Sequence, residues 1–205
     1  MTGRSCATGS ITLKSARRVS RWPRPTWCRW NWSMRELAAL LVALLLLVPG
    51  SAQARADIVA AGIAEARNLG RVTVRWFGLP LYDAALYTER GARFSWQVPM
   101  ALELAYRREI SRERLVAATQ SELERIEGRR RDHPVLLGKL GRCFRDVDPG
   151  DRVLAVARAD DRVDFWFNGA RLCEVRHGNL RKRFLGIWLS DNARSVGLSR
   201  RLRGQ

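Results

Sequence analysis

The chain has 205 residues, with 37 lysines and arginines against 20 aspartates and glutamates, and a formal net charge of +17. Hydrophobic residues make up 46% of the chain and charged residues 28%, a balance that excludes a wholly disordered protein. This length allows one or two domains.

Residues 34–54 are predicted to direct export. After Met34 comes a run of leucine, alanine and valine residues at 37–48, followed by a small-x-small site that ends at Ala54. A basic start, a short apolar run and such a site are typical of a secretory signal peptide. We therefore expect a signal peptide at 34–54, cleaved after Ala54 or, as the second choice, after Ala56. The protein is then expected to be periplasmic or secreted.

Residues 1–33 contain seven basic residues and no acidic one. They are either a mis-annotated extension ahead of a start at Met34 or an extended N-terminus of the signal peptide. Both alternatives leave 55–205 as the mature chain, which is predicted to be one domain with one core. The apolar run is shorter than the roughly 20 residues that cross a bilayer, so no transmembrane span is expected.

Six strands are predicted in the mature chain from period-two alternation and from β-branched and aromatic residues. In the third strand, Met100, Leu102, Leu104 and Tyr106 share one face, because alternate side chains of a strand point the same way. Asn168-Gly169, the strongest type of short hairpin signal, joins the last two strands. The strands are predicted at residues 71–77, 81–88, 100–108, 152–158, 162–168 and 170–176.

Four helices are predicted from apolar residues at helical spacing and from end signals. Ser111 is placed to cap the first helix, and Pro134 suits the first turn of the second. Strands followed by two helices, a three-strand meander and further helices indicate an α+β fold with an antiparallel sheet. The helices are predicted at residues 112–126, 133–144, 179–190 and 195–203.

Several kinds of chemistry lack their sequence signals. The chain has no glycine-rich phosphate loop, dinucleotide fingerprint or nucleophile elbow, so no cofactor is expected. His133, His177, Cys143 and Cys173 lack the closely spaced pairs of a zinc site, so no metal is expected. No nucleic-acid-binding motif accompanies the positive charge, so no nucleic-acid partner is expected, whereas peripheral contact with anionic lipid suits an exported basic protein.

Cys143 and Cys173 are the two cysteines of the mature chain, and export permits a disulfide between them. A disulfide requires Cα atoms within about 7 Å of each other. The sequence leaves open whether the two are joined or are separate buried thiols.

Five segments, in order, resemble chalcone isomerase-like proteins. The first predicted hairpin carries that family's Gly-x-x-x-Tyr-x-x-x-Leu-Tyr pattern at Gly78, Tyr82, Leu86 and Tyr87. The resemblance covers about residues 58–203 and implies the chalcone isomerase fold, an antiparallel sheet with helices packed on one face and a cleft between them. The last matching segment resembles the exported bacterial branch of the family. The other matching segments are 104–110, 148–151, 167–169 and 184–189.

Members of this family cyclise chalcones to flavanones without a cofactor, bind fatty acids, or have no assigned activity, so the resemblance does not fix a function. By this resemblance, the plant enzymes' tyrosine before the first helix falls on Tyr106. Their arginine falls on Gly70, beside Arg71. Most specificity positions therefore differ, and flavanone formation is not expected. The remaining specificity positions fall on or near Tyr82, Glu113 and Arg181.

From this comparison we expect a small apolar or amphipathic anionic ligand, fatty-acid-like or aromatic, in the cleft. A guanidinium beside tyrosine hydroxyls suits a carboxylate or phenolate. No catalytic residue is assigned. The alternative is a cofactor-independent isomerase, an intramolecular lyase of chalcone-isomerase type, acting on an unknown substrate. The candidate ligand-binding residues are Arg71, Arg75, Tyr82 and Tyr106.

Overall fold

Six antiparallel strands, paired in chain order, form one sheet in the part of the chain that the computed structural model describes, residue 58 and residues 60–205. The predicted signal peptide at 34–54 and the extension at 1–33 lie outside the described residues. Within the described part, no helix is both long and apolar enough to cross a membrane. The strands are β1 (Ala66–Trp76), β2 (Leu79–Glu89), β3 (Met100–Tyr106), β4 (Arg152–Ala159), β5 (Arg162–Phe167) and β6 (Ala170–Arg176).

Two helices lie between β3 and β4, and shorter ones follow β6. The Ser111 hydroxyl accepts a hydrogen bond from the Arg114 backbone N–H at 3.4 Å and caps the first helix. The predicted α+β class with an antiparallel sheet is confirmed. The helices are α1 (Arg112–Glu127), α2 (His133–Cys143), α3 (Gly186–Leu189) and α4 (Val196–Leu202).

The continuous helix predicted at 179–190 is wrong in its first half. Arg181–Leu185 form one π-helical turn that leads into α3, and Asn179 before it has a φ of 57°. Arg183 in this turn is buried and donates to Glu127 at 2.7 Å, 56 residues away in sequence. Local periodicity cannot show a turn geometry that distant partners help to hold.

Five strands differ in extent from the prediction, most of them by one or two residues at an end. β1 starts before the expected residue 71, because Ala66 and its neighbours pair with the end of β2 at Glu89. β3 ends at Tyr106 rather than 108, where the Tyr106 backbone N–H donates to the carbonyl of Asp151 at 2.8 Å. Between Tyr106 and α1, an isolated antiparallel bridge joins Ile110 to Val147.

The two faces of the sheet carry different residues. On the cavity face, side chains such as Val72, Leu104 and Phe165 form the main apolar core with the helices. On the outer face, Ala101 and Leu154 and their neighbours form a second, smaller core with four residues at the start of the described chain: Ile58, Ala61, Ile63 and Ala66. The helical residues of the main core lie on one face, as the family resemblance implied. The sequence analysis did not predict that the segment before β1 packs on the outer face of the sheet.

Two hairpins share one turn geometry but differ in residue type. Asn168 and Gly169 have φ values of 47° and 84°, and Phe77 and Gly78 have values of 46° and 78°. A type I′ turn requires positive φ at both central positions, which asparagine and glycine tolerate. Left-handed backbone costs an ordinary residue roughly 1–2 kcal/mol. The first hairpin therefore places an aromatic residue where the turn disfavours one.

A disulfide joins Cys143, at the end of α2, to Cys173 in β6, with a Cα–Cα distance of 5.8 Å. The two cysteines are 30 residues apart in sequence. Closing a loop of this size stabilises a fold by roughly 3–4 kcal/mol in the chain-entropy model. The bond ties a helix to the last strand on the cavity face.

Candidate functional site

A cavity of about 720 Å³ lies between the cavity face of the sheet and the helices. Its walls are mostly apolar and include Val72 and Leu104 from the sheet, Leu115 from α1, Ile187 from α3 and Leu198 from α4. Alternate residues of β1 and β3 point into it because a strand repeats every two residues. Small-molecule sites are typically apolar and have volumes of roughly 300–1,000 Å³.

Two tyrosines bring polar atoms into these apolar walls. Tyr82 on β2 and Tyr106 on β3 are cross-strand partners with ring centroids 5.7 Å apart. The Tyr82 hydroxyl accepts a hydrogen bond from the indole N–H of Trp188 at 3.0 Å. Burial raises the pKa of Tyr82 to about 12 and also raises the pKa of Tyr106. Both phenols therefore stay protonated at neutral pH and can donate hydrogen bonds.

The Tyr106 hydroxyl differs from that of Tyr82 because no described residue forms a hydrogen bond with it. Tyr106 is nevertheless only 6% exposed and lines the cavity. The hydroxyl itself does not belong to the buried side-chain atoms that lack a hydrogen-bond partner, and the residue lines the cavity. An acceptor atom of a molecule bound in the cavity could therefore pair with it.

Arg75 lines the same cavity at an exposed position near the end of β1. Arg71 and Thr73 lie on the outer face, and strict alternation would place Arg75 there as well. A register shift between Val74 and Arg75 interrupts the alternation, and the consecutive residues Val74, Arg75 and Trp76 all line the cavity. Its Nη1 donates to the carbonyl of Gly78 at 3.1 Å, and no described carboxylate forms an ion pair with it.

Arg71 does not reach the cavity. Its Nη2 donates to the Tyr87 hydroxyl at 3.2 Å and lies 3.9 Å from the Glu103 carboxylate, both on the outer face. The structure thus brings Arg75, Tyr82 and Tyr106 together and separates Arg71 from them. This placement corrects the assignment of Arg71 to the ligand site, which followed from sequence adjacency to Gly70.

Gly70, the position aligned with the plant arginine, has no room for a side chain. A Cβ at Gly70 would lie 2.0 Å from the backbone carbonyl oxygen of Arg201 in α4. The last helix therefore occupies the space that such a side chain would need. Neither Gly70 nor Arg71 supplies a guanidinium to the cavity.

Four further arginines line the cavity, and the sequence analysis did not single them out: Arg108, Arg114, Arg145 and Arg194. All four are exposed and Glu109 lines the cavity beside them. Arg194 pairs with Glu122, whereas the other three form no ion pair within the described residues. Arg108 had a usable signal, because the alternation that places Tyr106 inside continues to residue 108. Arg114 and Arg145 had none, because tertiary pairing of distant segments brings them to the cavity.

Glu122 is an acidic residue in the cavity wall. It accepts hydrogen bonds from Arg194 Nε at 2.8 Å and from Arg125 Nη2 at 2.7 Å. Burial acts to raise the pKa of Glu122, but these hydrogen bonds outweigh burial and hold the pKa below its usual range. An ionised carboxylate already bound by two guanidinium groups is poorly placed to accept a substrate proton.

Both described histidines lie outside this cavity in a partly buried cluster of hydrogen bonds and ion pairs. His133 pairs with Glu127 at 2.8 Å and His177 with Asp132 at 2.9 Å, and Arg183 donates to both carboxylates. Among residues 58 and 60–205, no group of three His, Cys, Asp or Glu side chains could hold a metal ion. This cluster joins the ends of α1 and β6 to the π-helical turn.

Residues 70–204 match the family model of chalcone isomerase-like proteins. The chain belongs to the chalcone isomerase-like family. It is 25% identical over 146 residues to an uncharacterized protein of Haemophilus influenzae, a match that covers 71% of this chain and 72% of that protein. The predicted family is confirmed.

Among solved structures, this chalcone isomerase-like chain is similar to the crystal structure of the Arabidopsis thaliana fatty-acid binding protein AtFAP1. The TM-score is 0.55 with 11% sequence identity, and the match covers 68% of this chain and 87% of the other. At this identity the likeness shows a shared fold, and function has to be argued from the site.

Proposed function

We propose that this protein binds a small amphipathic ligand, with an apolar body and an anionic head, in its cavity. The observation that carries the proposal is the Tyr106 side chain, which lines an apolar cavity of about 720 Å³ and whose hydroxyl forms no hydrogen bond with a described residue. A fatty-acid-like or aromatic acid matches both features. The shared fold with a protein named for fatty-acid binding adds support.

The apolar body of the ligand would supply most of the binding free energy. Each Å² of apolar surface removed from water is worth roughly 25 cal/mol. Side chains such as Leu104, Leu115 and Ile187 offer that surface without competing hydrogen-bond groups. A rigid sheet on one side and helices on the other hold the surface in place before a ligand arrives.

The anionic head would lie against the tyrosine pair and the exposed arginines. A carboxylate or phenolate oxygen can accept a hydrogen bond from Tyr106, and a second oxygen can accept from Arg75 or Arg108. Charge-assisted hydrogen bonds of this kind are about twice as strong as neutral ones. The unpaired arginines that line the cavity would also raise the local concentration of anions.

The same groups favour binding over isomerisation. The raised pKa values of Tyr82 and Tyr106 make these side chains hydrogen-bond donors rather than bases at neutral pH. The lowered pKa of Glu122 reflects a carboxylate held by two arginines. The closed space at Gly70 removes the guanidinium that flavanone formation requires by resemblance to the plant enzymes.

We also propose that the protein is exported, with a signal peptide at 34–54 and a mature domain at 55–205. The support is the order of basic, apolar and small residues in the sequence. N-terminal sequencing of the protein from the envelope or medium of producing cells should begin at residue 55 or 57. A mature protein that retains a peptide from residues 1–33 would contradict both alternatives for that segment.

The binding proposal is tested by native mass spectrometry of the purified protein, followed by extraction of bound small molecules. We expect a co-purified acid with an apolar body. The extracted protein is then titrated with hexadecanoate and with cinnamate, which separate a fatty-acid-like from an aromatic preference. Saturable binding of either acid supports the proposal, and an empty protein that binds neither overturns it.

A further inference from the structure

The tip of the β1–β2 hairpin exposes three large apolar side chains. Trp76 is 54% exposed, Phe77 is 88% exposed and Leu79 is 52% exposed. The rest of the described chain exposes only Val135 and Val196 among its large apolar side chains. The Trp76 and Phe77 rings meet edge to face, with centroids 5.2 Å apart. We call residues 76–79 the hydrophobic tip.

Folding does not account for the aromatic residue at this tip. Asn168-Gly169 makes a turn with nearly the same φ values in the same sheet, from residues that favour that geometry. Phe77 occupies the left-handed region, which disfavours bulky side chains, and it is the most exposed large apolar side chain described. An aromatic side chain that is both disfavoured by the backbone and left in water points to a partner outside the chain.

Cationic side chains flank the hydrophobic tip. Arg75 donates to the carbonyl of Gly78 within the tip, and Arg108 follows the end of β3, which pairs with the start of β2. Neither arginine forms an ion pair within the described residues. The nearby carboxylate of Asp83 is already neutralised by Arg107 at 2.7 Å. Glu109 beside Arg108 adds one exposed carboxylate, so positive side chains outnumber negative ones around the tip.

The hydrophobic tip also borders the cavity. Trp76 lines the cavity, as do Arg75 before it and Leu81 after it. A partner seated on the tip would therefore lie beside the open part of the cavity wall.

We propose that the hydrophobic tip docks into the interface of an anionic phospholipid bilayer. Trp76 and Phe77 would lie at the level of the headgroups, and Arg75 and Arg108 would contact lipid phosphates. Aromatic side chains beside arginines are the composition of interfacial membrane anchors. A four-residue tip is small for a stable protein interface, which buries roughly 1,200–2,000 Å² in total. Docking goes beyond ligand binding and does not depend on what the cavity holds.

The test is co-sedimentation of the purified protein with vesicles of phosphatidylglycerol and phosphatidylcholine. The key variant is Phe77→Asn, which creates the Asn-Gly turn that the other hairpin already uses and should fold normally. We expect it to lower the partition coefficient about tenfold, because a large apolar side chain no longer enters the interface. Val135→Ser is the matched control, since Val135 is 58% exposed on α2, and it should bind like the unaltered protein.

The charge contribution is tested on the same vesicles. The double variant Arg75→Gln and Arg108→Gln should reduce binding at least about fivefold and weaken its dependence on salt. Arg129→Gln, which removes an exposed cation beyond the far end of α1, should have little effect. Vesicles of phosphatidylcholine alone should bind the unaltered protein weakly.

Three results would overturn the docking proposal. One is the absence of vesicle binding, another is equal binding by Phe77→Asn and the unaltered protein, and the third is equal loss in Phe77→Asn and Val135→Ser. Self-association that Phe77→Asn abolishes, without vesicle binding, would assign the tip to a second copy of the chain instead. Tyr106→Phe separates this proposal from ligand binding, because it should lower affinity for hexadecanoate while leaving vesicle binding unchanged.

Discussion

The two faces of the sheet bury polar groups in opposite ways. On the outer face, Glu103 and Asp164 are almost fully buried, and each carboxylate meets two arginines. On the cavity face, the Tyr106 hydroxyl lacks a described partner, and Arg75 and Arg108 form no ion pair within the described residues. The outer face pairs its buried carboxylates, although the Trp166 indole N–H there lacks a partner among the described residues, whereas the cavity face leaves hydrogen-bond donors open toward a cavity.

This difference separates residues that stabilise the fold from residues that are available to a ligand. Arginine is abundant on both faces, so its presence alone does not mark a site. The two arginines differ in whether a carboxylate lies within reach. Arg71 lies beside Glu103, whereas Arg75 forms no ion pair with a described carboxylate. The comparison predicts that substitutions of paired residues on the outer face change stability. Substitutions of the polar residues that line the cavity should instead change ligand binding.

The largest expected effect on stability comes from the covalent tie on the cavity face. Replacing Cys143 and Cys173 together by alanine should lower the free energy of unfolding by roughly 3–4 kcal/mol, because the unfolded chain regains the entropy of an open loop. Denaturant unfolding measures the loss. A reducing agent should destabilise the unaltered protein to a similar extent and leave the double variant unchanged. Equal stability of the oxidised protein and the variant would remove the disulfide from this account.

The next largest effect is expected on the outer face at Asp164. Its carboxylate accepts hydrogen bonds from Arg171 at 2.6 Å and from Arg158 at 3.3 Å. Asp164→Asn should cost roughly 1.5–3 kcal/mol in denaturant unfolding, the usual worth of hydrogen bonds to a charged group. Ligand affinity should not change, since the residue lies on the face opposite the cavity. If Asp164→Asn kept full stability but lost ligand binding, the outer face would serve the ligand rather than the fold, which would contradict the account.

Asp164 also predicts a pH dependence. Burial acts to raise the pKa of Asp164, but hydrogen bonds and charge from the two arginines outweigh burial and hold the pKa below the 3.8 of a free side chain. A carboxyl with a lowered folded-state pKa contributes its full stability above about pH 4 and loses it as the pH falls through the folded-state value. Unfolding free energies measured from pH 7 downward should therefore fall less steeply in Asp164→Asn than in the unaltered protein.

A smaller effect is expected at Gly70 on the cavity face. Gly70→Ala should cost roughly 1–3 kcal/mol, because the new methyl group meets the carbonyl of Arg201 and forces α4 to shift. Thermal unfolding measures the change. An alanine tolerated at no cost would mean that the space needed by the family's arginine is open after all.

The smallest effect on stability separates two arginines of one strand. Arg71→Gln should change stability by less than about 1 kcal/mol, because the side chain is half exposed and the pair is screened by water. It should leave the dissociation constant for hexadecanoate unchanged, whereas Arg75→Gln should raise it several-fold. Equal effects of the two substitutions on binding would contradict the assignment of the two residues to opposite faces.

Much of the fold was predictable because its signals are local. Alternation placed Tyr106 on the inner face of β3, and Ser111 and Asn168-Gly169 fixed a helix start and a turn. The site was less predictable because its geometry depends on tertiary structure. Arg75 lines the cavity and Arg71 does not, and a register shift between Val74 and Arg75 breaks the alternation from which the sequence would have placed both on one face.

The most direct test of the central claim compares two tyrosine hydroxyls on opposite faces of β2 and β3. Tyr106→Phe removes the unpartnered hydroxyl of the cavity, and Tyr87→Phe removes a hydroxyl that already accepts from Arg71 on the outer face. Calorimetric titration with hexadecanoate or cinnamate, whichever binds, should show a dissociation constant raised about fivefold to tenfold in Tyr106→Phe. Tyr87→Phe should match the unaltered protein. Equal affinity in all three proteins would contradict the claim that the cavity face holds the ligand's polar head.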